Sequence, residues 1–203
     1  TDYYMIYNSY IARNVMTSFT TTLFGQAINA KKIGPYGLYS IKTTGTISLP
    51  ECSMLESNAL YYASAQKIYA PKCTWIGEDA FRGVSCRDIT LGPLTYIGKS
   101  GIAGEFSISI NGDEVTYLGD DCVYSNVNVT MSGSLGKLTY IGNGNSYIFK
   151  NTRSEYILPE CSYIGAYLFS YDTVIKKLYA PKLEYIGGNA FYATSTDEIY
   201  IPE

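Results

Sequence analysis

The chain has 203 residues and a formal net charge of −3, from 15 basic and 18 acidic residues. No basic surface is available for phosphates, which argues against a nucleic-acid partner. Histidine is absent, and with it the commonest general base and zinc ligand, so we expect no enzyme and no cofactor. No apolar stretch approaches the ~20 residues that cross a bilayer, so membrane insertion is not expected.

A repeat of 21 to 23 residues runs along the chain. Each copy carries one aliphatic residue, here called the anchor, and the nine anchors are Ile11, Ile33, Leu55, Ile76, Ile97, Leu118, Ile141, Ile164 and Ile186. A fixed period in this range is the signature of a solenoid, in which each repeat forms one coil and stacks on the next.

The residues around each anchor have recurring chemistry. The second residue before the anchor is Ser or Thr in each of the six repeats from Ser53 to Ser162 and is expected to face water. Seven of the nine anchors are followed by Gly, which indicates a positive φ or a close backbone approach at the corner of the coil. The third residue before the anchor is apolar and suits a narrow interior, and these residues are Cys52, Cys73, Leu94, Val115, Leu138, Cys161 and Leu183.

Each repeat continues with a turn and a second strand. A small residue and then a large apolar one stand four and five positions after the anchor, as in Ala80 with Phe81 and Ala190 with Phe191. This pair predicts a short helical or 3₁₀ turn whose large side chain fills the coil. Alternating runs that stop at Pro or Gly follow, such as residues 67–71 and 177–181, and predict parallel return strands with one buried face.

The seventh repeat departs from this scheme. Residues 143–149 read Asn-Gly-Asn-Ser-Tyr-Ile-Phe where other repeats carry the compact small-large turn. We therefore expect a bulged coil at this point of the stack.

Two repeats carry the cleanest copies of the motif: residues 75–81 read Trp-Ile-Gly-Glu-Asp-Ala-Phe, and residues 185–191 read Tyr-Ile-Gly-Gly-Asn-Ala-Phe. The pattern resembles the BspA-like leucine-rich-repeat family over the full chain. The resemblance implies a curved solenoid without catalytic residues, found mostly in bacterial surface proteins and also in some phage and protist proteins. Adhesion or ligand binding is the role usually suggested. The chain departs from the family at Val84 and Thr194, where Cys is frequent.

The predicted fold is therefore a leucine-rich-repeat-like solenoid of about nine coils, with a parallel β-sheet on one face and short helical or 3₁₀ turns opposite. Residues 1–203 are expected to form a single solenoid domain that is a fragment of a longer protein. Residues 3–7 and 198–202 read as strands without polar capping repeats, so we expect association end to end or with flanking domains.

Tyrosine supplies the candidate binding residues, with 22 copies against 7 Phe and one Trp. The residue before the anchor forms an aromatic column, interrupted by Lys32 and Met54, whose members are Tyr10, Trp75, Tyr96, Tyr117, Tyr140, Tyr163 and Tyr185. The column is either a stack of rings that stabilises the coils or an amphipathic stripe that holds sugars or proteins. A second candidate set lies on the return strands, and Tyr69, Tyr179 and Tyr200 are here called the strand-face tyrosines.

The five cysteines show no Cys-x-x-Cys spacing. Four of them stand in columns that carry Leu, Val or Ala elsewhere, which favours buried thiols. A disulfide between Cys52 and Cys73 on adjacent coils is the alternative.

One acidic group is a candidate calcium site, and it consists of Asp113, Glu114, Asp120 and Asp121. It lacks the glycine-spaced ligands of a calcium loop. A solvated corner is therefore favoured over a metal site.

The sequence thus predicts a non-catalytic binding or adhesion module, located outside the cell or at its surface. A tyrosine-rich repeat surface would contact a protein or carbohydrate partner. The alternative is a structural or receptor-binding segment of a phage particle, located in the virion, and the residue pattern does not separate the two.

Overall fold

A computed structural model describes residues 10–11, 27–124, 127–149, 153–172 and 175–202. The described chain is a stack of coils built from short parallel strands, which confirms the predicted solenoid. The strand expected at residues 3–7 lies outside the described residues. The strands are β1 Tyr10–Ile11, β2 Lys32–Ile33, β3 Thr46–Ser48, β4 Met54–Leu55, β5 Ser64–Ala70, β6 Trp75–Ile76, β7 Val84–Leu91, β8 Tyr96–Ile97, β9 Gly104–Glu105, β10 Ser107–Asn111, β11 Tyr117–Leu118, β12 Asn128–Ser132, β13 Tyr140–Ile141, β14 Glu155–Ile157, β15 Tyr163–Ile164, β16 Lys177–Tyr179, β17 Tyr185–Ile186 and β18 Glu198–Tyr200.

The strands that contain the anchors form a nine-stranded sheet in the order β1-β2-β4-β6-β8-β11-β13-β15-β17. Each strand has two residues, and its register pairs equivalent positions of adjacent coils, as in Tyr117 with Tyr140 and Leu118 with Ile141. Successive side chains of a strand point to opposite faces. The anchors from Ile33 to Ile164 are therefore completely buried, while the residue before each one points outward.

The predicted return strands are present and parallel, and they divide into three sheets. One contains β3, β5, β7 and β9, the next contains β10 and β12, and the last contains β14, β16 and β18. Adjacent coils again align equivalent residues, as in Ile47 with Ile68 and Ile68 with Ile89.

The core is one continuous cluster of apolar side chains along the inside of the coils. The third residue before each anchor from Leu55 to Ile186 is buried, as predicted, and the large side chain of the turn fills the coil, with Phe81 only 1% exposed. The Ser and Thr column faces outward and links the coils: the Thr95 hydroxyl donates to the Thr74 carbonyl at 3.0 Å, and the Thr116 hydroxyl donates to the Thr95 carbonyl at 3.0 Å.

The glycine after the anchor is needed for close approach rather than for a positive φ. A Cβ atom at Gly165 would lie 2.4 Å from the Gly142 carbonyl carbon of the preceding coil, far inside van der Waals contact. Left-handed residues stand at the third position after the anchor, as at Asn58 (φ 60°) and Asn189 (φ 57°), and at the seventh position, as at Gly83 (φ 68°). This conformation is most accessible to Gly, Asn and Asp.

The turns opposite the anchor sheet are mostly non-helical. In the third coil, the Leu60 N–H donates to the Ala80 carbonyl at 2.9 Å and the Ala63 N–H donates to the Leu60 carbonyl at 2.8 Å. Hydrogen bonds to the next coil thus alternate with hydrogen bonds within a local turn. Residues in the left-handed conformation prevent the turns from continuing as a helix. In the described chain, helical structure is limited to a 3₁₀ turn at Gly112–Glu114 and to α1 at Ser146–Phe149.

The seventh coil contains α1, so its extra residues form a helical turn where a bulge was expected. The buried Asn145 precedes this helix, and its amide group donates to the carbonyls of Gly119 at 2.7 Å and Gly142 at 3.0 Å. Its side-chain oxygen accepts the Cys122 N–H at 3.0 Å. A buried amide with all of these bonds replaces the backbone contacts that a regular turn makes, so the aromatic column keeps its register on both sides.

All five cysteines are buried free thiols, so the alternative disulfide between Cys52 and Cys73 is not formed. Burial raises the pKa of the Cys73 thiol to about 12, and the neighbouring Cys52 adds to the effect. Burial and the raised pKa both suppress the reactivity of the thiol, because the thiolate is the reactive form and it needs access to the reagent.

We expect the native chain to be inert toward a chromogenic thiol reagent near pH ~8, and to release five equivalents of reactive thiol once it is denatured. Titration of the thiols with and without guanidinium measures this difference. Only three equivalents in the denatured state would indicate a disulfide and contradict the assignment.

Candidate binding surfaces

The aromatic column is a continuous stack of six rings. Its five successive ring pairs have centroid distances of 4.5–4.7 Å and interplanar angles of 6–13°, from Trp75 through Tyr185. This spacing equals the ~4.8 Å separation of neighbouring strands, so the parallel register alone brings the rings into contact. Lys32 and Met54 precede the stack in the same column and end it.

Stacking occupies the faces of these rings. Trp75, Tyr96, Tyr117, Tyr140 and Tyr163 are half-buried, and Tyr185 in the last described coil is 48% exposed. Burial raises the pKa of the Tyr140 phenol to about 12, and the neighbouring Tyr163 and Tyr117 add to the effect. Because only ring edges and hydroxyls reach solvent, the geometry favours the structural interpretation of the column over a sugar-stacking stripe.

The strand-face tyrosines do not form one surface. Tyr69 lies in the four-stranded return sheet, where it pairs in register with Ser48 and Thr90. Tyr179 and Tyr200 lie in the three-stranded return sheet, and their rings stack at 5.1 Å. The structure thus brings two of the three candidates together and leaves the third apart.

Tyr69 has a charged environment. The Lys67 ammonium lies 5.8 Å from the centroid of its ring and pairs with the Asp88 carboxylate at 2.9 Å. A cation over a ring face is attracted to it, but the attraction is weak at a solvent-exposed site. Tyr69 is 36% exposed, so its ring edge remains open to a partner.

A third group of tyrosines lies on the turns and was missed by the sequence analysis. Six turn-face tyrosines are more than half exposed: Tyr62, Tyr124, Tyr147, Tyr167, Tyr171 and Tyr192. The sequence signals three of them, because Tyr124, Tyr147 and Tyr192 stand six positions after the anchor, where residues 39 and 61 are also tyrosine.

Several of these tyrosines occupy a strained backbone conformation. Tyr62, Tyr167 and Tyr171 have φ values of 57°, 62° and 61°, a region that bulky residues rarely adopt. The position of Tyr167 is equivalent to Asn58 and Asn189, and the position of Tyr62 and Tyr171 is equivalent to Gly83. Strain of this kind persists where the surrounding structure imposes it and is enriched at binding sites.

A family model described as BspA type leucine rich repeat region matches the chain in six copies, over residues 10–130, 53–157 and 107–203. The chain belongs to the BspA-type leucine-rich-repeat family. No curated protein and no solved structure matches it. Proteins of the BspA-type family are commonly surface modules that bind proteins, and their solenoid fold is typically non-catalytic.

The acidic group of this BspA-type chain serves contacts between coils. The Glu114 carboxylate pairs with Lys137 at 2.6 Å. Asp113 accepts the Ser134 N–H at 2.6 Å, and this bond lowers the pKa of its carboxyl group, with the Asn111 side chain contributing. Within the described residues, no group of three or more His, Cys, Asp or Glu is placed to hold a metal ion.

The described part of the BspA-type chain contains no helix that is long and apolar enough to cross a membrane.

Proposed function

We propose that the chain is a non-catalytic binding module of a cell surface that contacts an extended protein partner through exposed tyrosines outside the aromatic column. The observation that carries this proposal is the exposure of Tyr147, Tyr167 and Tyr171 on the turns of two adjacent coils, by 59%, 51% and 57%. These three residues are called the turn-face patch. Exposed tyrosine gives contact area and a hydrogen-bonding hydroxyl at a low cost in conformational entropy.

Two members of the turn-face patch, Tyr167 and Tyr171, are held by hydrogen bonds to the next coil. The Tyr167 N–H donates to the Gly188 carbonyl at 3.3 Å and the Tyr171 N–H donates to the Tyr192 carbonyl at 2.8 Å. The Asn189 side chain donates to the Tyr167 hydroxyl at 3.2 Å. Rings held by the backbone lose little freedom on binding, which supports a recognition role.

The strand-face tyrosines supply two further contacts of the proposed binding module. The stacked pair of Tyr179 and Tyr200 is one of these contacts. Tyr69 is the other, and it lies five coils before Tyr179 in the stack. An extended partner that follows the stack would reach contacts on successive coils, and weak contacts of this kind add up through multivalency.

The proposal is tested with two triple variants on an array of host surface proteins. Y147A/Y167N/Y171G removes the turn-face patch and places Asn and Gly at the two left-handed positions, where Asn58 and Gly83 stand in other coils. Y69S/Y179S/Y200S removes the strand-face tyrosines. We expect each variant to bind the array-identified partner at least about ten-fold more weakly than the parent, with free energies of unfolding changed by only about 0.5 kcal/mol per site.

Tyr62→Asn is the matched control, because it removes an exposed tyrosine of the turns that belongs to neither set and lies four coils from the turn-face patch. It should bind as the parent does. Parental affinity in both triple variants would contradict the proposal and would indicate that these tyrosines have only a structural role.

A further inference from the structure

The turn side of the third to sixth coils contains a recess between exposed tyrosines. It has a volume of about 480 Å³ and lies between two exposed rings, Tyr62 at one end and Tyr124 at the other. Its floor carries Gly83, Ala103 and Gly104. Ala103 occupies the position six residues after its anchor, where five other coils carry Tyr, so the recess exists because a ring is missing.

The two rings are separated along the stack. Tyr62 belongs to the third coil and Tyr124 to the sixth, and three coil steps of ~4.8 Å each place their backbones roughly 14 Å apart. The Tyr62 ring lies directly over Gly83, where a Cβ atom would come within 2.3 Å of Cδ1. The glycine thus sets the position of this ring and leaves its outer side to solvent.

The floor of the recess is backbone whose hydrogen bonds are already made. The Gly83 N–H donates to the Ala103 carbonyl at 2.7 Å, and the Tyr62 N–H donates to the Arg82 carbonyl at 2.8 Å. No large aliphatic side chain lines the recess. It therefore lacks the apolar pocket that receives an anchor side chain of a protein partner.

The remaining lining groups are polar and of both charges: Arg82, Glu105, Ser85 and Ser100. The Arg82 guanidinium is held by Asp79 at 3.3 Å and lies 5.9 Å from the centroid of the Tyr61 ring. One cation and one anion leave the lining formally neutral, which disfavours phosphate, sulfate and carboxylate ligands. Hydroxyl, guanidinium and carboxylate groups can together donate to and accept from a ligand rich in hydroxyls.

We propose that this recess binds a neutral oligosaccharide lying along the stack between Tyr62 and Tyr124. The C–H bonds on the face of a pyranose ring are weakly positive and pack against the negative face of an aromatic ring. Its hydroxyls bond to the polar groups between the two rings. A concave site with aromatic walls and a few convergent polar groups is the usual form of a small-molecule site.

The proposal extends the proposed binding function to a second ligand class at a separate place. The recess shares no residue with the turn-face patch or with the strand-face tyrosines. Loss of the protein contact and loss of the sugar contact are therefore separable by mutation, and the failure of one proposal leaves the other standing.

The test is an array of neutral, sialylated and sulfated oligosaccharides probed with the full chain, followed by calorimetric titration of the best neutral glycan. We expect the parent to bind neutral glycans, and Y62N and Y124S to bind at least about ten-fold more weakly. A103Y places in the recess the ring that five other coils carry, and it should abolish binding. Tyr192→Ser, outside the recess, should bind as the parent does, and circular dichroism should show the parental fold for every variant.

Three results would overturn the proposal. The first is a folded parent that binds no neutral glycan or binds acidic glycans alone. The second is parental affinity in folded Y62N and Y124S. The third is a peptide array on which A103Y abolishes peptide binding while no glycan binds, since this would assign the recess to a protein partner.

Discussion

Replacement of Tyr96, Tyr117 and Tyr140 by Ser is expected to lower the free energy of unfolding by about 2–6 kcal/mol. The triple variant removes four stacked ring pairs, each worth about 0.5–1.5 kcal/mol beyond the burial of area. The loss comes from the middle of the solenoid, where each coil depends on both neighbours. Urea unfolding followed by circular dichroism measures the change.

The strand-face triple variant Y69S/Y179S/Y200S is the matched control for this experiment. It also exchanges three tyrosines for serine but breaks only the stacked pair of Tyr179 and Tyr200. Its loss of stability should be clearly smaller. Equal losses in the two variants would show that the aromatic column contributes no more than scattered surface rings, and would contradict the structural role assigned to it.

The second large effect is expected at the small-large pair of the turns. Phe81→Ala should cost about 3–5 kcal/mol, because it empties a site that is filled by a completely enclosed ring. Phe81 is 1% exposed, and its ring lies 6.0 Å from that of Phe106. Calorimetric and urea unfolding both report the loss.

Phe191→Ala provides the comparison, since the same motif position is only partly buried there and its ring stacks on Phe169 at 5.2 Å. The cavity is more open and can be filled by water, so the cost should be smaller. Equal and negligible melting shifts in both variants would contradict the assignment of this column to the core.

Much of the fold could be predicted because each column of the repeat carries the same type of side chain in successive coils. The alternation of Ile68, Tyr69 and Ala70 gives inward, outward and inward directions, and period-two alternation specifies a strand with one buried face. The turns were harder to predict, because Ala-Phe suits a helix as well as a chain of turns. Left-handed residues such as Asn58 decide between them, and a single sequence does not reveal φ.

The candidate site was less predictable than the fold. Equivalent positions of neighbouring repeats predict adjacency along a column, so the stacking of Tyr96 on Tyr117 could be anticipated. The same rule does not say where a sheet divides, and the separation of Tyr69 from Tyr179 follows from the three return sheets. The recess was invisible to pattern analysis because it arises from the absence of a ring at Ala103.

The hydrogen bonds between coils have a mechanical consequence. Bonds such as Asn58 N–H to the Glu78 carbonyl at 2.8 Å and Tyr62 N–H to the Arg82 carbonyl at 2.8 Å point along the stack. Tension applied to the two ends of such a stack loads its interfaces in series, so the weakest one yields while the others stay closed. Each coil that opens would lengthen the chain by on the order of 70 Å. A stack of this kind would therefore extend in steps under tension, and each step would absorb part of the applied work.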